Sequence, residues 1–358
     1  NQLQRCSAMN EADKFSSVFE QCHPLPPVRL GVVNAAHSTV MEAVRAASDM
    51  GLCQPVLIGA SSSIRTIVKS MKLPVTADQI VDVKDDAEAA QTGVRLVREG
   101  KVDVLMKGHV HTDVFMRALL DTEQGLRLPG RRVSHAFVCD IPKYFKLLQV
   151  TDAAINIEPD LIAKSQILQN AIALSHILRI DKPLVAVLSA IETINPAIRS
   201  TIDAAALTAM ASRGQIAGAV IDGPLAFDNA ISLRAAQEKS IESPVAGRSD
   251  ILLVPDLVSG NILAKNLEYM SDAVLAGIVL GLSVPVVLNS RSDELPSRLA
   301  SLALASLVHH RSAAHAAATS CLDGASIDCA PQLESCCKPP PHQIAPAVRL
   351  QSTTTAST

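Results

Sequence analysis

The chain has 358 residues, of which 48% are hydrophobic and only 2% aromatic, so its core must be built from aliphatic side chains. Its 32 basic and 35 acidic residues give a formal net charge of −3, which excludes the strongly basic surface typical of nucleic-acid and anionic-membrane binding. The longest nearly apolar stretch, 273–288, contains Gly and Pro and is shorter than the roughly 20 residues of a membrane helix. The eight cysteines include no CxxC pair, which favours reduced thiols and a cytoplasmic location over a zinc or disulfide framework.

The predicted elements alternate between short strands and longer helices. Residues 1–27 are polar and end in a proline-rich run, which predicts a linker or an appended fragment. From Val28 onward, β-branched runs predict strands at 28–33, 55–58, 102–106, 133–138, 184–188, 218–221, 250–254 and 284–288. The segments between them predict helices at 40–50, 87–99, 160–178, 200–213, 228–239, 260–270 and 295–309. We interpret residues 273–288 as a buried helix, a turn and the last strand.

This alternation predicts an α/β fold with parallel-rich sheets covered by helices. The polar stretch 149–157 is the expected crossing between two lobes. After residue 311 the chain carries four cysteines, a triple proline and a Ser/Thr-rich end without an apolar period. Such a composition predicts a disordered tail over 312–358.

Ligands of open α/β sheets bind beyond the carboxyl ends of the strands, so the loops after the predicted strands are candidate sites. In the loop after strand 102–106, Lys107 supplies a point charge and Gly108 permits close backbone approach. Thr112 is placed to cap the next helix, which carries Arg117, and the free N–H groups at a helix start attract anions. This loop suits a phosphate, although a plain turn with a solvated lysine fits the pattern equally well.

Two further loops carry weaker signals. Asp222 ends a predicted strand, where it either faces a cleft or holds the following Gly-Pro turn in shape. Asp256 lies in the loop after strand 250–254, and Gly260 and Asn261 leave backbone donors open for a phosphate or pyrophosphate. Lys265 follows on the next helix.

The loop after the last strand collects a hydroxyl, a guanidinium and two carboxylates. Arg291 is suited to bidentate phosphate binding, Ser290 to donating to an oxyanion, and Asp293 or Glu294 to accepting a proton. The same residues are typical of a solvated helix cap and first turn, and composition alone favours the cap. The sequence has no HExxH motif, so no metal site is predicted. It also has no GxSxG or Walker motif, so neither a serine triad nor a P-loop is predicted.

Several long segments in one order resemble the phosphate acetyl/butyryltransferase family, especially its butyryltransferase-like branch and the domain fused to enoyl-CoA hydratase. They are LMKGHVHTDVFMRALL, VTDAAINIEPDL, TIDAAALTAM, IDGPLAFDNA, SPVAGRSDILLVPDLVSGNILAKNL and PVVLNSRSDE. The resemblance implies two α/β/α lobes flanking a cleft, as in the isocitrate and isopropylmalate dehydrogenases, with the final helices returning to the first lobe. We therefore expect a first lobe of 28–148 plus about 292–311, and a second lobe of 149–291.

The resemblance also implies a reaction: acyl-CoA plus inorganic phosphate gives acyl phosphate plus free coenzyme A, by direct attack in a ternary complex. Coenzyme A is then a substrate, and no metal or other cofactor takes part. A homodimer or a larger homo-oligomer is implied, with no nucleic-acid or membrane partner. The resemblance does not fix whether acetyl or butyryl groups are preferred.

The family's catalytic pattern maps onto particular residues of this sequence. Ser290 and Arg291 fall on a Ser-Arg pair that stabilises the transition state and binds phosphate. Arg117 matches a second arginine of the family, although the residues before it depart from the usual pattern. Ser297 stands at the spacing of the family's general base, so the two nearest acids of the loop become the candidates for that role.

Two other interpretations of the sequence are open. The same family resemblance is found in an acyl-CoA-sensing domain of certain malic enzymes, which catalyses no transfer, but the retained Ser-Arg pair counts against that reading. A metal-dependent decarboxylating dehydrogenase on the related fold needs clustered aspartates at a strand end. The sequence has no such cluster.

Overall fold

The computed structural model describes residues 13–320, with side chains described up to residue 312. Residues 13–315 belong to one compact unit. Most of the predicted tail therefore lies outside the described residues, but 312–320 continue the last helix instead of starting a tail.

The strands of the described chain are β1 (Val28–Val33), β2 (Cys53–Gly59), β3 (Ile80–Asp82), β4 (Val104–Lys107), β5 (Ser134–Asp140), β6 (Leu148–Thr151), β7 (Leu184–Leu188), β8 (Val220–Leu225), β9 (Ile251–Leu253), β10 (Val274–Leu280) and β11 (Val286–Val287). The helices are α1 (Ser16–Cys22), α2 (Ser38–Asp49), α3 (Ser61–Met71), α4 (Asp86–Arg98), α5 (Thr112–Leu119), α6 (Leu161–Ile177), α7 (Arg199–Ser212), α8 (Phe227–Ile231), α9 (Leu233–Glu238), α10 (Leu257–Met270) and α11 (Leu295–Ser320).

The strands form a single mixed sheet in the order β3-β2-β1-β4-β11-β10-β5-β6-β9-β7-β8. Strands β3, β2, β1, β4 and β11 make one parallel block, and β6, β9, β7 and β8 make a second. Between the blocks, β11, β10, β5 and β6 pair antiparallel in succession. The two blocks consequently run in opposite directions, and their carboxyl ends lie at opposite edges of the sheet. The predicted α/β fold with a mostly parallel sheet is confirmed.

The core is aliphatic, as the composition predicts. Leu30 and Met106, on neighbouring strands of the first block, share a buried cluster with Leu304 of α11, so the last helix covers this block. Phe15 and Val18 belong to the same cluster. Residues 13–22 are thus not a linker, because α1 buries its apolar side chains in the core.

Three predicted elements differ from the structure. Residues 273–288 contain two antiparallel strands, β10 and β11, where a helix and one strand are predicted. The turn between them uses Gly281 at a φ of +83°, and a Cβ there would lie 2.1 Å from the Arg132 carbonyl oxygen. The predicted helix 228–239 is split at Ser232 into α8 and α9. The predicted crossing contains β6, a buried strand of the sheet.

No helix among residues 13–320 is long and apolar enough to cross a membrane.

Candidate active site

A small cavity lies where the loops after β4 and β11 meet. These two strands are parallel neighbours, with Leu105 opposite Val286 and Met106 opposite Val287, so their carboxyl ends are adjacent. The cavity has a volume of about 250 Å³ and is lined by Lys107, Val110, His111, Thr112, Asn289, Ser290 and Arg291. Register in the sheet therefore brings together two loops that are far apart in the sequence.

Lys107 is the cation at the base of this cavity. Its side chain ends β4 and is only 3% exposed, and within the described chain its ammonium group has no hydrogen-bond partner. Burial lowers the pKa of Lys107, and the charges of Arg291 and Arg298 lower it further, while Asp293 opposes the shift. The ammonium nitrogen is not fully enclosed and opens to the cavity, so an anion entering the cavity would pair with a partly desolvated charge.

Gly108 is required by the close approach of two loops. A Cβ at this position would lie 2.3 Å from the carbonyl oxygen of Asn34 and 2.5 Å from that of Val33. The amide N–H groups of Gly108 and His109 donate to these same two carbonyls at 2.9 Å. Because no side chain fits here, Gly108 positions the start of the loop against β1.

Asp293 holds the loop after β11 in shape. Its Oδ2 accepts hydrogen bonds from the Ser290 amide at 2.9 Å and from Asn289 Nδ2 at 3.0 Å, and the side chain is only 8% exposed. The neighbouring Glu294 is exposed. Of the two predicted proton acceptors, Asp293 is thus already engaged in orienting Ser290, whereas Glu294 points to solvent.

Arg298, which is not among the residues predicted from the sequence, supports the same loop from α11. Its Nε donates to the Asp293 carbonyl at 3.0 Å, and its Nη2 donates to the carbonyls of Ser290 at 3.0 Å and Arg291 at 3.2 Å. The guanidinium group is buried, with the residue 3% exposed. An arginine inside the apolar pattern of a buried helix is the sequence signal that points to such a role.

The exposed side of the loop is free to meet a ligand. The Ser290 hydroxyl lies 3.0 Å from that of Ser292, and the Arg291 side chain is exposed at the cavity edge. Loop backbone groups are thus fixed by buried residues, while the hydroxyl of Ser290 and the guanidinium of Arg291 face the cavity. This arrangement suits charge stabilisation by preorganised donors.

The amino end of α5 forms the opposite wall. The N-cap residue is His111, which makes no side-chain cap hydrogen bond, so the expectation that Thr112 caps the helix is wrong. Thr112 is instead the first helical residue and lines the cavity. The N–H groups of a first helical turn lack partners within the helix and attract anions. Arg117 lies further along α5, exposed, and does not line the cavity.

Two histidine rings stack beside the cavity. His37 and His109 have ring centroids 4.4 Å apart and planes within 5° of parallel. Burial lowers the pKa of His109, and the charges of His37, Arg291 and Lys107 lower it further, while Asp86 opposes the shift. Within the described residues, no group of three or more His, Cys, Asp or Glu side chains is placed to hold a metal ion.

Two predicted aspartates make local hydrogen bonds at the other edge of the sheet. Asp222, in β8, accepts from the amide of Gly223 at 2.8 Å. Asp256 is the N-cap of α10 and accepts from the amide of Ser259 at 2.8 Å. Neither residue lines the cavity at β4 and β11, because the second block of strands ends at the opposite edge.

The three predicted residues of α10 also have local partners. A Cβ at Gly260 would lie 2.7 Å from the Val254 side chain and 3.1 Å from the Ala153 backbone, so this glycine packs α10 against two loops. Asn261 donates to the Ala153 carbonyl at 3.4 Å. Lys265 pairs with Glu268 at 2.6 Å. The structure does not bring these residues to the cavity.

Comparison with known proteins identifies the family of this chain. Residues 86–306 match the model of the family described as phosphate acetyl/butaryl transferase. The chain is 47% identical to the phosphate acetyltransferase of Rickettsia prowazekii over 305 residues, which is 85% of this chain and 86% of that protein. It is 39% identical to the phosphate butyryltransferase of Clostridium beijerinckii over 297 residues, covering 83% and 98% of the two chains.

Solved structures with a similar fold include enzymes of the same kind. The branched-chain phosphotransacylase from Enterococcus faecalis V583 superposes with a TM-score of 0.69 at 30% identity, covering 79% of this chain and 99% of that one. A phosphotransacetylase from Streptococcus pyogenes shares the fold, with a TM-score of 0.70 at 22% identity over 85% of this chain and 100% of that one. The predicted resemblance is confirmed, and the chain belongs to the phosphate acetyl/butaryl transferase family.

Proposed function

We propose that this protein transfers a short acyl group, from acetyl to butyryl, between coenzyme A and inorganic phosphate. The observation that carries the proposal is that Ser290 and Arg291 line the same small cavity as the unpartnered ammonium group of Lys107. Relatives named phosphate acetyltransferase and phosphate butyryltransferase support these substrates. The reaction is acyl-CoA plus phosphate giving acyl phosphate plus coenzyme A.

Phosphate binding follows from the three sources of positive potential around the cavity. Lys107 supplies a buried point charge, Arg291 supplies a guanidinium suited to bidentate contact, and the start of α5 supplies free N–H groups. Desolvation strengthens the attraction because water no longer screens these charges. The bound phosphate is thereby placed beside the Ser290 hydroxyl.

The acyl transfer needs no covalent enzyme intermediate. In one direction, a phosphate oxygen attacks the thioester carbonyl carbon, the C–S bond breaks, and the sulfur leaves with its electron pair and takes up a proton. In the other direction, the deprotonated thiol attacks the acyl phosphate and phosphate leaves. In both, negative charge grows on the carbonyl oxygen, where Ser290 and Arg291 act as donors whose position is fixed before the reaction.

The proton of the coenzyme A thiol requires an acceptor. We assign it to Glu294, because its carboxylate is exposed, whereas Asp293 is buried and engaged by the Ser290 amide. Asp293 then contributes to catalysis by orienting the Ser290 backbone. No metal or cofactor is needed for this sequence of steps.

The other predicted substrate contacts divide into two groups. Thr112 lines the cavity, Gly108 directly follows the lining residue Lys107, and Arg117 lies on the helix whose start forms the wall. We assign these three to the phosphate and coenzyme A site. The residues at the opposite edge of the sheet are proposed contacts to more distant parts of coenzyme A: Asp222, Asp256, Gly260, Asn261 and Lys265.

The proposal is tested by thiol release from acetyl-CoA and butyryl-CoA with and without phosphate. We expect phosphate-dependent release, and a loss of roughly 100-fold or more in kcat for Arg291→Ala. Arg213→Ala, which removes an exposed arginine at the end of α7, is the matched control. Binding of acyl-CoA without turnover would contradict the proposal and would indicate a sensing domain.

We also propose a homodimer in the cytoplasm. Val258, Ile262 and Tyr269 are exposed and lie at helical spacing along one face of α10, which is typical of a surface covered by another subunit. Light scattering of the wild type and of Ile262→Glu tests this assembly.

The three cysteines within residues 13–320 are free thiols, which supports a reducing compartment.

A further inference from the structure

His135 is a buried histidine that the proposed mechanism does not use. It lies on β5, near the centre of the sheet, and is 0% exposed. Neither of its ring nitrogens has a hydrogen-bond partner within the described residues. A neutral imidazole carries one N–H donor and one acceptor nitrogen, and a buried polar atom without a partner lowers the stability of a protein. Such a group in a native protein generally has a bound water or a role in catalysis to account for it.

The histidine is held in place by its backbone and by packing. Its amide donates to Asp152 Oδ2 at 3.1 Å, and its carbonyl accepts from the Thr151 hydroxyl at 2.8 Å. Its ring packs edge-on against Phe137, with 4.4 Å between the ring centroids. Burial lowers the pKa of His135 to about 4, although the charges of Asp152 and Asp293 oppose the shift. The ring is therefore neutral at neutral pH and keeps one N–H to donate.

Gly277 leaves a small space beside this ring. The residue lies on β10, where it pairs with Phe137, and Val279 of the same strand pairs with His135. A Cβ at Gly277 would lie 3.1 Å from His135 Nε2 and 3.1 Å from the carbonyl oxygen of Leu288. Both polar atoms thus border one point above the glycine backbone, at a distance that suits a hydrogen bond. One water molecule near that point can bridge the ring nitrogen and the carbonyl.

The carbonyl of Leu288 belongs to the start of the loop after β11. The next residue, Asn289, lines the cavity of the candidate active site. Its Nδ2 donates to Asp293 at 3.0 Å and to Ser301 at 3.3 Å. Asp293 in turn accepts from the Ser290 amide. The Oδ1 of Asn289 is buried and has no partner in the part of the chain that the structure describes. The loop therefore has a second buried acceptor, one residue from Leu288, that protein groups leave free for water.

We propose that His135 positions the loop after β11 through one buried water molecule, which is shared by its Nε2 atom and the Leu288 carbonyl. The inference rests on the proposed function, in which Ser290 and Arg291 of that loop stabilise the charge of the reacting acyl group. His135 does not touch the substrate, and it fixes the point at which the loop leaves β11. Because a displaced donor loses much of its effect on a transition state, the histidine acts on turnover and not on substrate binding.

Three variants test this role in phosphate-dependent thiol release from acetyl-CoA. His135→Leu removes both ring nitrogens, and we expect kcat to fall roughly tenfold while the KM values for acetyl-CoA and phosphate change less than about twofold. His135→Gln places an amide nitrogen near the position of Nε2 and should restore kcat to within about threefold of the wild type. Val138→Ala truncates a buried residue on the opposite face of β5. It is the matched control and should lower stability without lowering kcat.

Stability separates this role from an ordinary place in the core. Replacing an unpartnered imidazole by an apolar side chain should leave the free energy of unfolding unchanged or raise it, so urea denaturation of His135→Leu should show no loss. A fall in kcat without that loss supports the proposal. Unchanged kcat, or a fall that Val138→Ala shows to the same extent, would refute it. A rise in KM in place of the fall in kcat also overturns it, as does a His135→Gln variant no more active than His135→Leu.

A crystal structure of the wild type tests the water itself and needs no turnover. We expect one ordered water within hydrogen-bond distance of His135 Nε2 and of the Leu288 carbonyl. If that water is present but the wild type transfers no acyl group, the proposed function fails while the bridge to the loop stands. If the wild type transfers the acyl group but no water joins these two atoms, the inference alone fails.

Discussion

The two edges of the sheet use similar residues in different ways. At the carboxyl ends of β4 and β11, Lys107 and Arg291 face a cavity and the described chain gives the ammonium of Lys107 no hydrogen bond. At the carboxyl ends of β8 and β9, Asp256 caps a helix and Lys265 pairs with Glu268. Both edges carry charged residues directly after strands, but those of the first edge line a cavity, whereas those of the second edge have local partners.

This difference shows what marks a binding site in an α/β protein. A charge that is satisfied by its own chain stabilises the fold, whereas a buried charge without a partner lowers stability and is available to a ligand. Substitutions at the two edges should therefore have opposite effects on stability and on turnover.

The largest effect is expected for Lys107→Met, which keeps a long side chain and removes the charge. Loss of a phosphate contact should lower kcat/KM by roughly 100-fold, and removal of a buried, unpartnered ammonium should raise the free energy of unfolding by about 1 kcal/mol. Steady-state kinetics with varied phosphate and urea denaturation measure the two changes. A variant that is both active and less stable would show that Lys107 is an ordinary core residue.

The next effect separates the two acids of the loop after β11. Asp293→Asn weakens the acceptor of the Ser290 amide, so we expect kcat to fall roughly tenfold at every pH, together with a loss of stability of about 1 kcal/mol. Glu294→Gln should lower kcat in the thiol-consuming direction without changing stability, and should alter the pH profile. A changed profile in Asp293→Asn alone would reassign the base to Asp293.

A smaller effect is expected from pH. Because burial lowers the folded-state pKa of Lys107 below its ordinary value of 10.5, the ammonium loses its proton at a lower pH in the folded chain than in the unfolded one. The dissociation constant of phosphate should therefore rise as pH increases through the folded pKa. Isothermal titration of phosphate between pH 7 and 10 measures this, and Arg291→Ala should move the transition to higher pH, since a neighbouring positive charge is removed.

The lowered pKa of Lys107 also makes the stability of the protein depend on pH. Below the folded pKa, both states hold the proton and the folded state carries the full cost of the buried charge. Between the two pKa values the unfolded state binds more protons, so stability rises with pH. The stability advantage of Lys107→Met over the wild type should thus shrink as pH rises.

The sequence predicts four of the five strands of the first parallel block and misses β3. Strands β1 and β4 are predicted because they are runs of β-branched and aliphatic residues. It fails at residues 273–288, since a short apolar run has no period that distinguishes a buried strand from a buried helix. Because β10 is not predicted, the antiparallel centre of the sheet is not predicted either. The sequence therefore does not show that the two blocks end at opposite edges.

The candidate site was predictable in part. The Ser290-Arg291 pair and Lys107 stand directly after strands, and their type indicates anion chemistry. The sequence marks Arg298 only as an arginine within an apolar helix, and its three partners, the loop carbonyls, meet it only in the fold. The sequence predicts Asp256 as a ligand residue, whereas in the structure it caps α10. The two roles cannot be distinguished from the sequence because a helix cap and an anion site share one pattern.

The smallest effect concerns Asp256, at the edge where charges are satisfied. Asp256→Ala removes the acceptor for the Ser259 amide at the start of α10, and loss of such a cap costs about 1 kcal/mol of stability. Asp256→Asn, which keeps a capping oxygen, should lose less, and urea denaturation measures both. If the KM for acyl-CoA rises in Asp256→Ala well below its unfolding temperature, Asp256 has the substrate contact that its position after β9 predicts. An effect confined to unfolding assigns this edge to stabilising the fold, so that the charges of the other edge alone serve catalysis.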